Sequence, residues 1–188
     1  MLQPSKSESE EVWVLIRNYG LFWKLDDVFF GRPGAKGHLL GRPAKNKTGN
    51  PVDFREQQGV YVLYDENYKM VYVGQAGAND KQRLWDRLNQ HTSDHIAERW
   101  TKFSWFGLRG VKANGDLAAE AAGAHTTNAS VLNHIEAILI AAAEPPHNRQ
   151  GGRFGEDVVQ YLQHRDEDAL GPDVGAMILD IWEARKTE

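Results

Sequence analysis

Cysteine is absent from all 188 residues. That excludes disulfides, thiolate zinc sites and a cysteine nucleophile together. Long apolar runs are missing too: the greasiest stretch, Ile135 to Ala143, is interrupted by Glu136 and is too short to span a bilayer. The opening MLQPSKSESEE is polar and acidic, without the apolar centre of a secretory signal. Together these absences point to a cytoplasmic protein with no membrane partner. No GxxxxGK[ST] string occurs, which removes a P-loop, and no Ser-His-Asp ordering stands out.

Enough remains to build one core. Hydrophobic residues make up 41% and charged residues 26%, with six Trp, seven Phe and six Tyr, so wholesale disorder is excluded. The length suits roughly one domain. The net charge of −4 hides an asymmetry. Between Gly31 and Arg55, six basic side chains face Asp53 alone, a local charge of +5. Between Glu156 and Glu188, nine acids outnumber three basic residues. Arg32, Lys36, Arg42, Lys45 and Lys47 lie in a Gly- and Pro-rich stretch, Gly31 to Asn50. It reads either as a solvated linker or as a phosphate-gripping loop that orders on contact.

Val12 to Lys24 is a rich apolar run in which Gly20 divides a short helix from an extended piece. Gly59–Asp65 (GVYVLYD) and Met70–Gly74 (MVYVG) are β-branched and aromatic runs around a four-residue turn, the pattern of a hairpin. Asp80 to His91 reads as a helix capped by Asn79 or Asp80, with Leu84 and Leu88 as its apolar stripe. Arg83, Arg87 and His91, four apart, form a separate face. Phe103 to Arg109 reads as a third strand, and Lys112 to Asn128 as a loop with a helical piece. Ser130 to Ala143 is a helix with Val131, Ile135, Ile138 and Ala142 as its stripe, widened by Leu132 and Leu139 and ended by Pro145-Pro146. Glu156–His164 and Pro172–Arg185 read as further amphipathic helices. The expected fold class is α/β (α+β), a small three-stranded antiparallel sheet flanked by helices.

Glu136 stands in the most apolar helix of the chain. A carboxylate buried there needs a cation, a donor or a proton; at the helix rim it needs none. Twelve residues on, Asn148 opens a polar segment. Tyr61 and Tyr72 are each unremarkable as strand aromatics. Their setting is not: Gly59-Val60-Tyr61 and Tyr72-Val73-Gly74 are followed by an Arg-bearing helix, a Glu-bearing helix and an Asn. In that order the elements resemble the GIY-YIG endonuclease superfamily over about Gly59 to Asn148. The likeness is closest to its restriction-endonuclease branch, whose RLxxH motif matches Arg87-Leu88-Asn89-Gln90-His91. The resemblance departs in two places. Gln82 holds the position ten residues after the second motif tyrosine, where many relatives carry arginine; Arg87, which alone has His91 one turn on, is the first choice for the essential arginine and Arg83 the second. Gln75 replaces a frequent lysine.

The resemblance implies a DNA endonuclease with a GIY-YIG nuclease-like fold. With the resemblance setting a catalytic core over 59–150, the expected layout is a disordered tail over 1–11, an N-terminal extension with a basic loop over 12–58, that core, and a C-terminal helical extension over 151–188. Glu136 would be the one protein ligand of a Mg²⁺ or Mn²⁺ ion, and Arg87 would grip the phosphate. Tyr61 would take the proton of the attacking water and pass it to His91. Tyr72 would orient water or phosphate, and Asn148 would anchor the site. The basic residues Arg32 to Lys47 would hold the DNA backbone. Cutting both strands from one site per chain takes two visits or a homodimer. Two rivals share the residues: a silent nucleic-acid-binding module, and a protein-interaction domain favoured by the acidic C-terminal end.

Overall fold

The computed structural model describes residues 15–46, 48–77, 81–119, 128–148 and 150–165. The tail over 1–11, Lys47, Asn79 and Asp80, and the helix expected at Pro172–Arg185 lie outside the described residues; the helix expected from Asp80 begins at Leu84, with Arg83 rather than Asn79 or Asp80 as its N-cap.

Seven strands form one sheet: β1 (Asn18–Lys24), β2 (Leu40–Pro43), β3 (Val52–Asp53), β4 (Gly59–Tyr64), β5 (Met70–Ala76), β6 (Lys102–Gly107) and β7 (Val159–Gln163). Their order is β3-β2-β7-β1-β6-β4-β5, and β1 with β7 is the parallel pair. Two α-helices accompany it among the described residues, α1 (Leu84–His91) and α2 (Asn128–Ala143). The expected three-stranded antiparallel unit exists as β6-β4-β5, but it is one side of a larger mixed sheet. The flanking regions supply strands where helices and loop were expected. Gly20 lies inside β1, β2 falls within the basic stretch, and Glu156–His164 contributes β7 rather than a helix. Long-range pairing explains the reversal: β7 is held between β1 and β2, which saturates its backbone on both sides.

Alternate residues of β4 and β6 point to opposite faces. Tyr61, Leu63, Phe103 and Trp105 join Leu84 and Leu88 of α1 in one core cluster, with Trp23, Phe54 and Trp100. Val62, Tyr64 and Phe106 join Ala137, Ala141 and Ala142 of α2 in the other. The two helices therefore pack on opposite faces of the sheet.

Both helices present a side the spacing did not foretell. On α1, His91 is buried with Leu84 and Leu88. A row of residues four apart advances about 40° per step at about 100° per residue, so its third member comes round to the apolar stripe. On α2 the buried residues are His134, Ala137, Ala141 and Ala142, while Leu132, Ile135 and Leu139 are exposed. Small side chains let the helix lie close over Tyr64, Phe106 and Phe154, and the Tyr64 hydroxyl donates to the Ala142 carbonyl at 2.8 Å. No helix of the described residues is long and apolar enough to cross a membrane.

Candidate active site

The β4–β5 hairpin pairs Tyr61 with Gly74 and Leu63 with Tyr72. Both motif glycines have a physical reason to be there. Gly59 has φ +147°, and a Cβ on it would run into the Phe106 carbonyl of the neighbouring strand. A Cβ on Gly74 would occupy the place of the Tyr61 ring and hydroxyl, so the missing side chain is what lets Tyr61 lie flat across β5.

Tyr61 is 1% exposed, and its hydroxyl lies 2.8 Å from Nε2 of His91, itself 6% exposed. The other ring nitrogen, Nδ1, lies 2.7 Å from Oδ2 of Asp94. Oδ1 of Asp94 accepts from the Ile96 backbone N–H at 2.9 Å, and the His91 carbonyl accepts from the Trp100 indole at 3.0 Å. Partial burial raises the Asp94 carboxyl, but the Ile96 N–H and His91 outweigh it and leave the carboxyl below its ordinary value. An ionised Asp94 accepts only, so Nδ1 donates to it, and in the neutral imidazole Nε2 is then the nitrogen that accepts from the Tyr61 O–H. Burial first and Tyr72 second push the Tyr61 hydroxyl well above the ordinary tyrosine value, against the pull of Arg87. The site is thus a hydroxyl–imidazole–carboxylate chain. Asp94 is the member that sequence reasoning missed; its signal was the three-residue step from His91 in HTSDH, across the turn that ends α1.

Tyr72 forms the outer lip, 36% exposed, with its ring 4.7 Å from His91 and 6.1 Å from Tyr61. Arg87 acts on Tyr61 through its charge. Arg83 sits at the start of α1, where its backbone N–H donates to Asp86 at 2.8 Å and its guanidinium packs by Gly77. Both nitrogens of His91 are engaged by Tyr61 and Asp94. Trp100 and Trp105 are each 1% exposed and belong to the core.

Glu136 and Asn148 meet elsewhere. They line a pocket of about 640 Å³ with Asn133, His147, Gln150 and Arg153, and Tyr61, Tyr72, Arg87 and His91 are not among its walls. Glu136 is exposed on α2, so burial does not oblige it to find a cation. Arg153 bonds to Gln150 within this pocket. Among the described residues no three His, Asp or Glu side chains converge. One carboxylate among amide oxygens fits a hydrated Mg²⁺, which keeps most of its waters, and does not fit an ion caged by protein alone.

The basic residues divide. Arg32 and Lys36 are exposed on a small hairpin, and Lys45 is exposed in the turn after β2. Arg42 is half-buried within β2, opposite Leu162. Set beside known proteins, the chain finds no match among family models, curated proteins or solved structures.

Proposed function

We propose that this protein is a divalent-metal-dependent endonuclease that hydrolyses phosphodiester bonds of DNA, working in the cytoplasm. The observation that carries the reading is the chain Tyr61–His91–Asp94 with Tyr72 and Arg87 beside it. A tyrosine whose hydroxyl is pushed upward is a poor base by itself. Linked to Nε2 it becomes a relay. The water oxygen bonds to phosphorus, its proton passes to the Tyr61 oxygen, and the Tyr61 proton passes to His91, whose imidazolium rests against Asp94. The phosphorus–O3′ bond breaks, and the leaving 3′ oxygen takes a proton from solvent. Arg87 supplies a fixed, planar cation for the non-bridging oxygens. Glu136, with Asn148, would hold Mg²⁺ or Mn²⁺. When bound, the ion would supply positive charge for a phosphate at that pocket, whose walls do not include Tyr61, Tyr72, Arg87 or His91. With one site per chain, a double-strand cut takes a homodimer or two visits.

One observation favours a second reading, a binding module that does not cleave: Glu136 rides on the helix packed against the other face of the sheet from Tyr61. Supercoiled plasmid decides between them. The expected outcome is nicking or linearisation by the wild-type chain with Mg²⁺, none with chelator, and none by Glu136→Gln. Salt-sensitive binding without cutting would support the silent module, and cutting that survives Glu136→Gln would remove Glu136 from the mechanism.

A further inference from the structure

We propose that the hairpin Phe29–His38 is a probe for the major groove of duplex DNA, so that the protein grips B-form duplex rather than single strands or duplex RNA. The inference rests on the nucleic-acid reading above and specifies its substrate.

The segment is an ordered hairpin and not a loose linker. Phe29 bridges His38 and Arg32 bridges Ala35, in one register. Arg32 and Ala35 exchange backbone hydrogen bonds of 3.0 and 2.9 Å, and His38 donates to Phe29 at 2.9 Å. The turn is Pro33-Gly34, with Gly34 at φ +86°, the residue order of a type II turn. Its base is locked to α1. The Trp85 indole donates to the Phe29 carbonyl at 3.4 Å, its ring stands 5.9 Å from Phe30, and Gly37 is buried against it. From the other side Arg55 donates to the Gly37 carbonyl at 3.1 Å. Trp85 lies two residues before Arg87 on the same helix, so the hairpin and the phosphate-gripping arginine share one rigid support.

The tip carries two exposed cations. Arg32 and Lys36 are exposed beside Pro33 and Gly34, and no acidic residue occurs in sequence from Val28 to Val52. The Arg32 guanidinium lies 5.7 Å over the Phe29 ring, and Glu56 and Asp86 line the hollow at the hairpin's flank. Arg32 also has the planar fork that reads guanine in the major groove. Two residues on each side, Phe30-Gly31 and Lys36-Gly37, separate the bridge Phe29/His38 from the tip bridge Arg32/Ala35. With Gly31 at φ +88° the segment is not fully extended, so its reach is at most about 10 Å, three steps of about 3.3 Å. The DNA major groove, about 8.5 Å deep and about 12 Å wide, admits a two-stranded ribbon of that reach. The major groove of duplex RNA is too narrow to enter, and a single strand has none.

The test is fluorescence anisotropy of the full chain in chelator with labelled mixed-sequence 30-base-pair DNA, RNA duplex of equal length and single-stranded DNA. Arg32→Ala/Lys36→Ala is measured beside the wild type over a salt series. The wild type is expected to prefer duplex DNA by about tenfold or more. The double variant should lose about tenfold of that affinity or more, with a salt slope lower by about two and an unchanged melting temperature. Equal binding and slope in wild type and variant would overturn the proposal. So would equal affinity for all three nucleic acids, or binding of none. Binding as expected without Mg²⁺-dependent plasmid cutting would support the hairpin while ending the endonuclease reading.

Discussion

The two faces of the sheet are built from different materials. On the α1 face, Trp23, Phe54, Tyr61, Trp100, Phe103 and Trp105 interlock; the Trp105 ring lies tilted 4.5 Å from Phe54 and meets Trp23 edge-on at 5.3 Å. On the α2 face the helix rests on three alanines and leaves Leu132 66% and Leu139 60% exposed. Dense aromatic packing fixes rotamers, and a proton relay needs fixed rotamers, because hydrogen bonds of 2.7 and 2.8 Å tolerate little displacement. An ion holding mostly water tolerates more. The contrast teaches that the hydrogen-bonded chain Tyr61–His91–Asp94 stands among interlocked aromatics, and that Glu136 stands on the exposed side of a helix held through small residues.

The sharpest way to break that contrast is to ask whether the two faces serve one reaction. Tyr61→Phe removes the hydroxyl and keeps the ring, so plasmid cutting should fall by about 10²–10⁴. Stability should drop by only about 1 kcal/mol, the worth of one hydrogen bond. Combined with Glu136→Gln, the losses should be strongly non-additive in single-turnover rates if both act in one transition state. Additive losses would mean two separate centres.

Stability tests the contrast without any appeal to function. Leu88 is fully buried beneath α1, and Leu88→Ala should cost about 2–5 kcal/mol. Ala141 faces the sheet on α2, and Ala141→Gly should cost about 1 kcal/mol. Urea unfolding midpoints at constant slope would measure both. Similar costs would show that the α2 face is as tightly specified as the other.

The same contrast explains what was legible. The β4–β5 hairpin could be read because GVYVLYD and MVYVG alternate and pair locally, four residues apart. The helix over Ser130–Ala143 could be read from its length and its double proline, whereas its inward side could not. Spacing favoured Ile135 and Leu139, and close approach to Tyr64 and Phe106 favoured alanine. β2 and β7 were unreadable for a different reason. LGRP and VQYLQ carry weak local signals, and they become strands only because residues more than a hundred positions apart meet, as Arg42 meets Leu162. The site divided likewise. Tyr61, Tyr72, Arg87 and His91 could be named from motif order, but Asp94 needed the geometry of the turn after α1.

The smallest effect is a matter of pH. Against the upward push of burial, the Ile96 N–H and His91 hold the Asp94 carboxyl below its ordinary value. A carboxyl with a depressed folded value binds protons less readily than it does unfolded. Its stabilisation is therefore complete above the unfolded aspartate value of about 3.9 and is lost as pH falls through the lower folded value. Asp94→Asn keeps the shape and cannot ionise, so the variant should be less stable than wild type near neutral pH. The gap should close on acidification below about pH 4. Because the Asp94 side chain is 23% exposed, solvent screens the pair and the gap should be modest. The neutral-pH cutting rate should fall more than the stability does. An amide in place of the carboxylate no longer dictates which nitrogen of His91 holds the proton, and Nε2 must be free to receive one from Tyr61. Thermal melts of the two chains across acid pH, beside cleavage rates at neutral pH, measure both halves. A stability gap that does not vary with pH, or an undiminished cutting rate, would reduce Asp94 to a helix-end contact and leave Tyr61 and His91 as the whole relay.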